Sequence, residues 1–293
     1  MTSALENLKK SKSNFDALTK QLEKSIEQPQ KKSYQDDRLW KPELDKSGNG
    51  YAVIRFLPAI EGEDMPWQRV WHHAFQGPGG QWYIENSLTT LNKKDPVSEE
   101  NTRLWNTGIE ADKEIARKRK RKLSYYSNIF VVSDPKHPEN EGKVFLFKFG
   151  KKIFDKITEA MNPEFADEEA LNPFDLWKGA DFKLKIRKVD GYWNYDKSEF
   201  AAPSQLLETD EELEEVWNKE HSLKAFVAPD QFKSYDELKE KLNRVLTGSG
   251  VGSATVSDIT EAPRFNKTEE YQEPVSAEAD DDTISYFSKL ADE

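Results

Sequence analysis

The chain has 293 residues, of which 36% are hydrophobic and 33% charged. That suffices for one large or two ordinary domains. It does not suffice for a core drawn from the whole length, so some segments are expected to remain exposed or disordered, because burial there cannot offset the entropy of ordering. There is no cysteine, which excludes disulfides and any zinc site built on thiolates. The net charge of −11, from 43 basic and 54 acidic residues, argues against a nucleic-acid binder unless the signs are segregated. They are, and it is the local field at a groove that decides binding.

Residues 1 to about 30 read as a basic N-terminal arm. Leu5, Leu8, Phe15, Leu18, Leu22 and Ile26 recur at roughly helical spacing among Lys9, Lys10, Lys12, Lys20 and Lys24. The first residues lack an apolar run, so no signal peptide is expected, and no stretch is long enough to cross a bilayer. A soluble, cytoplasmic protein is the expectation.

From about residue 31 to 246 the pattern is that of a core. YAVIRFLP (51–58) follows the turn signal SGNG and reads as a strand. WQRVWHHAF (67–75), GPGG (77–80) and QWYIE (81–85) read as a hairpin. A long polar insertion then ends in KEIARKRKRK (113–122), the densest basic run in the chain. SYYSNIFVV (124–132) and KVFLFKF (143–149) flank a polar turn, and GKKIFDKITEAM (150–161) has a helical stripe. In DFKLKIRKV (181–189), Phe182, Leu184 and Ile186 alternate with Lys183, Lys185 and Arg187, a period of two with one cationic face. For those three cations an ordinary solvated face is as good a reading as a binding surface.

After residue 203 the pattern turns helical. Thr209 with Glu212, and Ser234 with Glu237, have capping-box spacing. From 247 to 293 a flexible linker leads into clustered acids around Ile284, Tyr286, Phe287 and Leu290, the composition of a disordered tail that docks on partners. Short strands with few helices predict an α+β chain: an elaborated OB-fold β-barrel with helical insertions, flanked by the basic arm and the acidic tail.

The core couples cations to aromatics. Lys118 to Lys122 run into Tyr125 and Tyr126, Phe147 adjoins Lys148, and Tyr192, Trp193 and Tyr195 follow the cationic strand. Single-stranded DNA is bound by such a combination, cations on phosphates and aromatic faces on unpaired bases. Any one ring is more often core than platform, so the weight lies on the joint pattern. No enzyme is predicted. A phosphate-cradling Gly-rich loop is absent, and adjacent His72 and His73 point to opposite faces of a strand.

Several strings in this chain are similar to those of the T-even-type bacteriophage single-stranded-DNA-binding, or helix-destabilising, family. They are GNGYAVIRFLP at 48–58, GQWYIE at 80–85, KRKRKLSYYSNI at 118–129, DPKHPENEGKVF at 134–145, FGKKIFDKI at 149–157 and GYWNYDKSEF at 191–200. The resemblance spans roughly residues 40 to 250 and implies the OB-fold. It also implies sequence-tolerant, cooperative coating of unpaired strands in phage DNA replication, recombination and repair, in the cytoplasm of the infected host.

By position it places DNA-binding roles on Arg55, Tyr83, Trp105, Arg119, Lys120, Arg121, Lys122, Tyr125, Phe147, Lys148, Tyr192 and Tyr195. Cooperative contact between neighbouring protomers falls on Lys9, Lys10, Ser11, Lys12 and Ser13. The acidic tail is implied to contact phage replication and recombination proteins. The family also holds a structural zinc on one His and three Cys. Here the His counterpart is His73, Ser87 stands near one lost ligand, and the later CxxC region is DPVSEEN. No zinc and no other cofactor is therefore expected, with packing of Trp82, Leu104 and Trp105 in its place. An acidic protein-interaction hub, or an RNA-binding regulator on the same fold, remains the alternative.

Overall fold

The structure is a computed structural model and describes residues 36–248 except 166 and 190. The arm with Lys9 to Ser13 and the tail after residue 248 lie outside the described residues.

Among the described residues the chain is mixed α+β, with nine strands in one open sheet and five helices. In chain order these are β1 (Leu39–Trp40), β2 (Gly50–Phe56), β3 (Gln68–Gln76), β4 (Trp82–Asn86), α1 (Pro96–Asn106), α2 (Glu110–Arg119) and β5 (Lys122–Ser133). They are followed by β6 (Val144–Phe149), α3 (Lys151–Met161), β7 (Phe182–Val189), β8 (Tyr192–Asn194), β9 (Glu199–Phe200), α4 (Asp210–Trp217) and α5 (Tyr235–Thr247). The strand order is β1-β6-β5-β2-β7-β8, with β3 on β5, β4 on β3 and β9 on β7.

The long strand β5 organises the sheet. Its first residues, Lys122 to Tyr126, pair with β3, and Ile129 to Ser133 pair with β2. On its other edge Tyr125 to Phe130 pair with β6. The side chains of β7 alternate as their sequence requires: Phe182, Leu184 and Ile186 are buried while Lys183 and Lys185 are half-exposed. The buried face joins Ile54, Phe56, Ile129, Phe147, Phe149 and, from α3, Ile153 and Ile157 in the main core. Phe56 sits at its centre, with ring centroids of Phe149, Phe182 and Phe174 at 5.6, 5.7 and 5.8 Å, in the edge-on and tilted geometry that aromatic quadrupoles favour.

A second cluster lies beside the β3–β4 hairpin. There α5 lays Leu238, Leu242 and Val245 on Phe75, Tyr83, Leu88 and Val97. The hairpin turn begins at Gly77, where any side chain would collide with the Val245 carbonyl; this is why the helix can lie so close. Both capping boxes form, on α4 through Thr209 and Glu212 and on α5 through Ser234 and Glu237. The polar insertion after β4 folds into α1 and α2, joined by Leu104, Ala116 and Trp105. The basic run is helical as far as Arg119 and then extended at Lys120 (φ −54°, ψ 147°) before it enters β5.

Candidate nucleic-acid interface

Strand parity sorts the residues of β5 between two faces. Tyr125 turns into the main core, its ring 3.9 Å from that of Phe154 and 5.7 Å from Phe149. Lys122, Ser124 and Tyr126 turn the other way. Across the sheet Lys122 faces His72 of β3, and Tyr126 lies between Gln68 of β3 and Lys148 of β6. One face of β3, β5 and β6 therefore carries His72, Lys122, Tyr126 and Lys148, with the Lys148 ammonium 5.9 Å from the centre of the Tyr126 ring. Burial first, then the charges of Lys148 and Lys122, hold the His72 imidazole well below its ordinary pKa. It is a neutral ring among cations at pH 7. Phe226 stacks on Tyr126 with centroids 4.0 Å apart.

Cations of the basic run lie over aromatic faces where it enters this sheet. Arg121 is 4.2 Å from the Trp71 centroid, Arg119 is 5.5 Å from Phe75, and Lys113 and Arg117 flank Trp105 at 5.6 and 5.4 Å. Such contacts attract a cation to the negative face of a ring.

The residues expected from sequence separate into two sets. Arg119, Lys120, Arg121 and Lys122 are contiguous in sequence, and of these Lys122 shares its face with Lys148, whereas Arg121 lies over Trp71 and Arg119 over Phe75. Trp105 is half-buried beside α2. Tyr125, Phe147 and Tyr195 are built into the main core. Tyr83 is fully buried and stacked on Phe75 at 5.1 Å, and burial pushes its phenol far up. Tyr192 is 38% exposed but lies on β8, separated from β5 by β2 and β7.

Arg55 is 0% exposed. Its Nε donates to Asp181 Oδ1 at 2.9 Å, and Nη1 and Nη2 donate to the Ser204 carbonyl at 3.1 and 3.0 Å. On β7, Lys185 and Arg187 pair with Glu199 and Asp196 at 2.7 and 2.5 Å, so that strand offers an ion-paired, solvated surface.

His72 and Trp71 were given no binding role from the sequence, and Tyr126, seen there beside the basic run, was passed over for Tyr125 when positions were assigned. Parity was the available signal: counting by twos from Lys122 reaches Tyr126 and passes over Tyr125.

The packing expected of the helical insertion forms in part, with Leu104 against Trp105 and Ala116. Leu104 is buried, but Trp82 is 45% exposed. The insertion's anchor is Asp95, the N-cap of α1, whose carboxylate accepts from the amides of Val97 and Ser98 and from Ser87 and His73. Burial alone would raise that carboxyl, but the His73 hydrogen bond, the His73 charge and the Ser98 and Ser87 hydrogen bonds outweigh it and bring the carboxyl down to about 2. Among the described residues no group of three or more His, Cys, Asp or Glu is disposed to hold a metal ion, and no helix is long and apolar enough to cross a membrane.

The chain is similar to the single-stranded DNA-binding proteins of Enterobacteria phages T2 and T4, each 39% identical over 241 residues, covering 79% of this chain and 78% of the relative. A shorter match to the single-stranded DNA-binding protein of Escherichia phage SV14 is 47% identical over 58 residues, 20% of this chain and 50% of that one. The family described as gp32 DNA binding protein like matches residues 48–246. With the family matched across most of its length and two relatives aligned over four-fifths of it, this chain belongs to the gp32-like DNA-binding proteins.

Proposed function

We propose that the chain is a sequence-tolerant, cooperative single-stranded-DNA-binding protein that coats and protects unpaired strands in phage DNA replication, recombination and repair, inside the infected host. It makes and breaks no bond. By binding the open strand better than the duplex it shifts the equilibrium between them. The observation that carries this reading is the face of β3, β5 and β6 that carries Lys122, Tyr126 and Lys148, with Lys122 the last residue of the basic run. The printed names of the phage T2 and T4 relatives support it. We read the sheet as an elaborated OB-fold on the strength of β5, whose two halves pair with different strands. Residues 1–30 act as the cooperativity arm through Lys9, Lys10, Ser11, Lys12 and Ser13, residues 31–246 bind the strand, and 247–293 recruit replication and recombination partners. No metal enters this reading.

Titration with oligothymidine and with a matched duplex, followed by intrinsic fluorescence at several salt concentrations, tests it. Quenching by the single strand alone, with a steep salt slope, is expected. Tyr126→Ala weakens single-strand binding on the order of tenfold, the loss of one stacking platform. Lys148→Met lowers the slope of log K against log salt by about 0.7, while Lys185→Met, already paired with Glu199, leaves it unchanged. Equal binding of duplex and single strand sinks the proposal.

Deleting residues 1–20 is expected to reduce cooperative binding to long strands and to spare binding to short oligonucleotides. Equal loss on both would place the arm in the groove instead.

A further inference from the structure

Resemblance to the family implies zinc on one His and three Cys, and this chain offers His73 with no thiol at all. Among the buried polar residues now in that stretch are Ser87, Asp95 and Ser98, the last two spaced as the ends of a CxxC. With His73 they are all buried, at 1%, 0%, 1% and 4% exposure in chain order.

They do not fit zinc. Structural zinc takes thiolates and imidazoles, whereas serine hydroxyls are neutral. The lone pairs of Asp95 are also already committed. Oδ1 accepts from Val97 N at 3.1 Å and Ser98 N at 3.0 Å and lies 3.1 Å from His73 Nε2. Oδ2 accepts from Ser87 Oγ at 3.0 Å and Leu88 N at 3.2 Å. A carboxylate has about four acceptor sites, so these contacts saturate it, as a buried charge requires. Ser98 takes part through its amide, and its hydroxyl has no partner among the described residues.

The contacts cross-link what a metal would. His73 is on β3, Ser87 and Leu88 follow β4, and Val97 and Ser98 open α1. His73 carries the link further, because its Nδ1 lies 3.0 Å from the carbonyl oxygen of Arg119, where the basic run leaves α2.

We infer that the Asp95 carboxylate is a metal-free clasp standing in for the family's zinc. It ties β3, the end of β4 and the start of α1 together, and through His73 it positions the backbone of the basic run. Asp95 and His73 are positioning residues and touch no ligand.

The test uses the full chain and readouts that do not involve DNA, so its failure and that of the single-strand reading are distinguishable. The wild-type protein, purified from zinc-supplemented cells, is expected to carry well under one zinc per chain by elemental analysis and to melt at the same temperature with or without EDTA. Asp95→Ala lowers the melting temperature by about 10 °C. The triple variant S87C/D95C/S98C restores three thiols beside His73. It is expected to bind one zinc per chain, to melt well below wild type in EDTA, and to recover most of that loss with zinc. Should Asp95→Ala fail to fold, the zinc-dependent melting of the triple variant decides. Stoichiometric zinc in the wild type, an unchanged melting temperature for Asp95→Ala, or a triple variant indifferent to zinc overturns the inference.

Discussion

Arg55→Ala is expected to destabilise the fold by about 2–3 kcal/mol, the scale of hydrogen bonds to a charged group, because the Arg55 side chain is buried while Asp181 keeps 27% exposure, and to leave the salt slope of single-strand binding unchanged. The guanidinium joins β2 to two segments far along the chain. It donates to Asp181, to the carbonyl and hydroxyl of Ser204, and at 3.4 Å to the carbonyl of Asp175. Gly179 lies against Nη1, and a side chain there would strike the Asp175 carbonyl, so the loop is shaped around the guanidinium. Truncation leaves a part-exposed carboxylate and the Ser204 and Asp175 carbonyls without their donor, and the loss of hydrogen bonds to a charged group is the larger kind. Arg55→Lys recovers little, since an ammonium cannot reproduce the planar fork that reaches Asp181 and Ser204 together. Urea denaturation measures the loss as a lower midpoint. A stable variant with a shallower salt slope would return Arg55 to the groove, the role its sequence position suggested.

The contrast with Arg55 shows where sequence reading ran out. Local signals translated into structure: the alternation in β7, the two capping boxes, the Gly-rich hairpin turn and the stripe on α3 all depend on residues a few positions apart. Arg55 does not, because its partner Asp181 is 126 positions away. Between Ile54 and Phe56 it therefore looked like a cation in search of a phosphate. Lys185 and Arg187 showed the same difficulty more mildly, their acids lying 14 and 9 positions on. The aromatics were legible as a class but not by face. Tyr125, Phe147, Tyr195 and Tyr83 fill cores, and although parity from Lys122 points to Tyr126, it takes the register of β5 with β3 and β6 to place Lys148 beside it. The helices of the polar insertion carried a signal that went unread: Asp95 followed by Pro96 is a helix start. Few apolar residues follow it, and the start of the insertion is anchored by the buried Asp95 cluster, which no hydrophobic period reveals.

Glu220→Gln is expected to stabilise the chain increasingly as pH rises, reaching on the order of 3 kcal/mol at pH 7. Both carboxyl oxygens of Glu220 are buried, and no cation pairs with them among the described residues. Burial first, then repulsion from Glu63, push it up to about 9, with Asn128 pulling the other way. The folded chain thus keeps a proton that the unfolded chain releases above about 4.5. Stability is undiminished below that value, falls as pH rises through the window up to about 9, and levels off beyond it. Glutamine has the same shape and no charge to bury, so the difference between the two proteins isolates this group from every other titration.

The effect matters for the binding face because of what Glu220 adjoins. Asn128 holds the next residue through paired hydrogen bonds of 2.9 Å to the carbonyl and amide of His221. Glu63 accepts from Ser222 Oγ and from the amides of Leu223 and Lys224 at 2.7, 3.2 and 3.1 Å. This strap carries Phe226 onto Tyr126. A proton on Glu220 favours the seated strap, and its loss at alkaline pH loosens the segment that covers one face of the ring. Chemical denaturation of both proteins from pH 5 to 9 measures the difference. Parallel profiles would mean that Glu220 is ionised in the fold, with its charge met by a partner of its own.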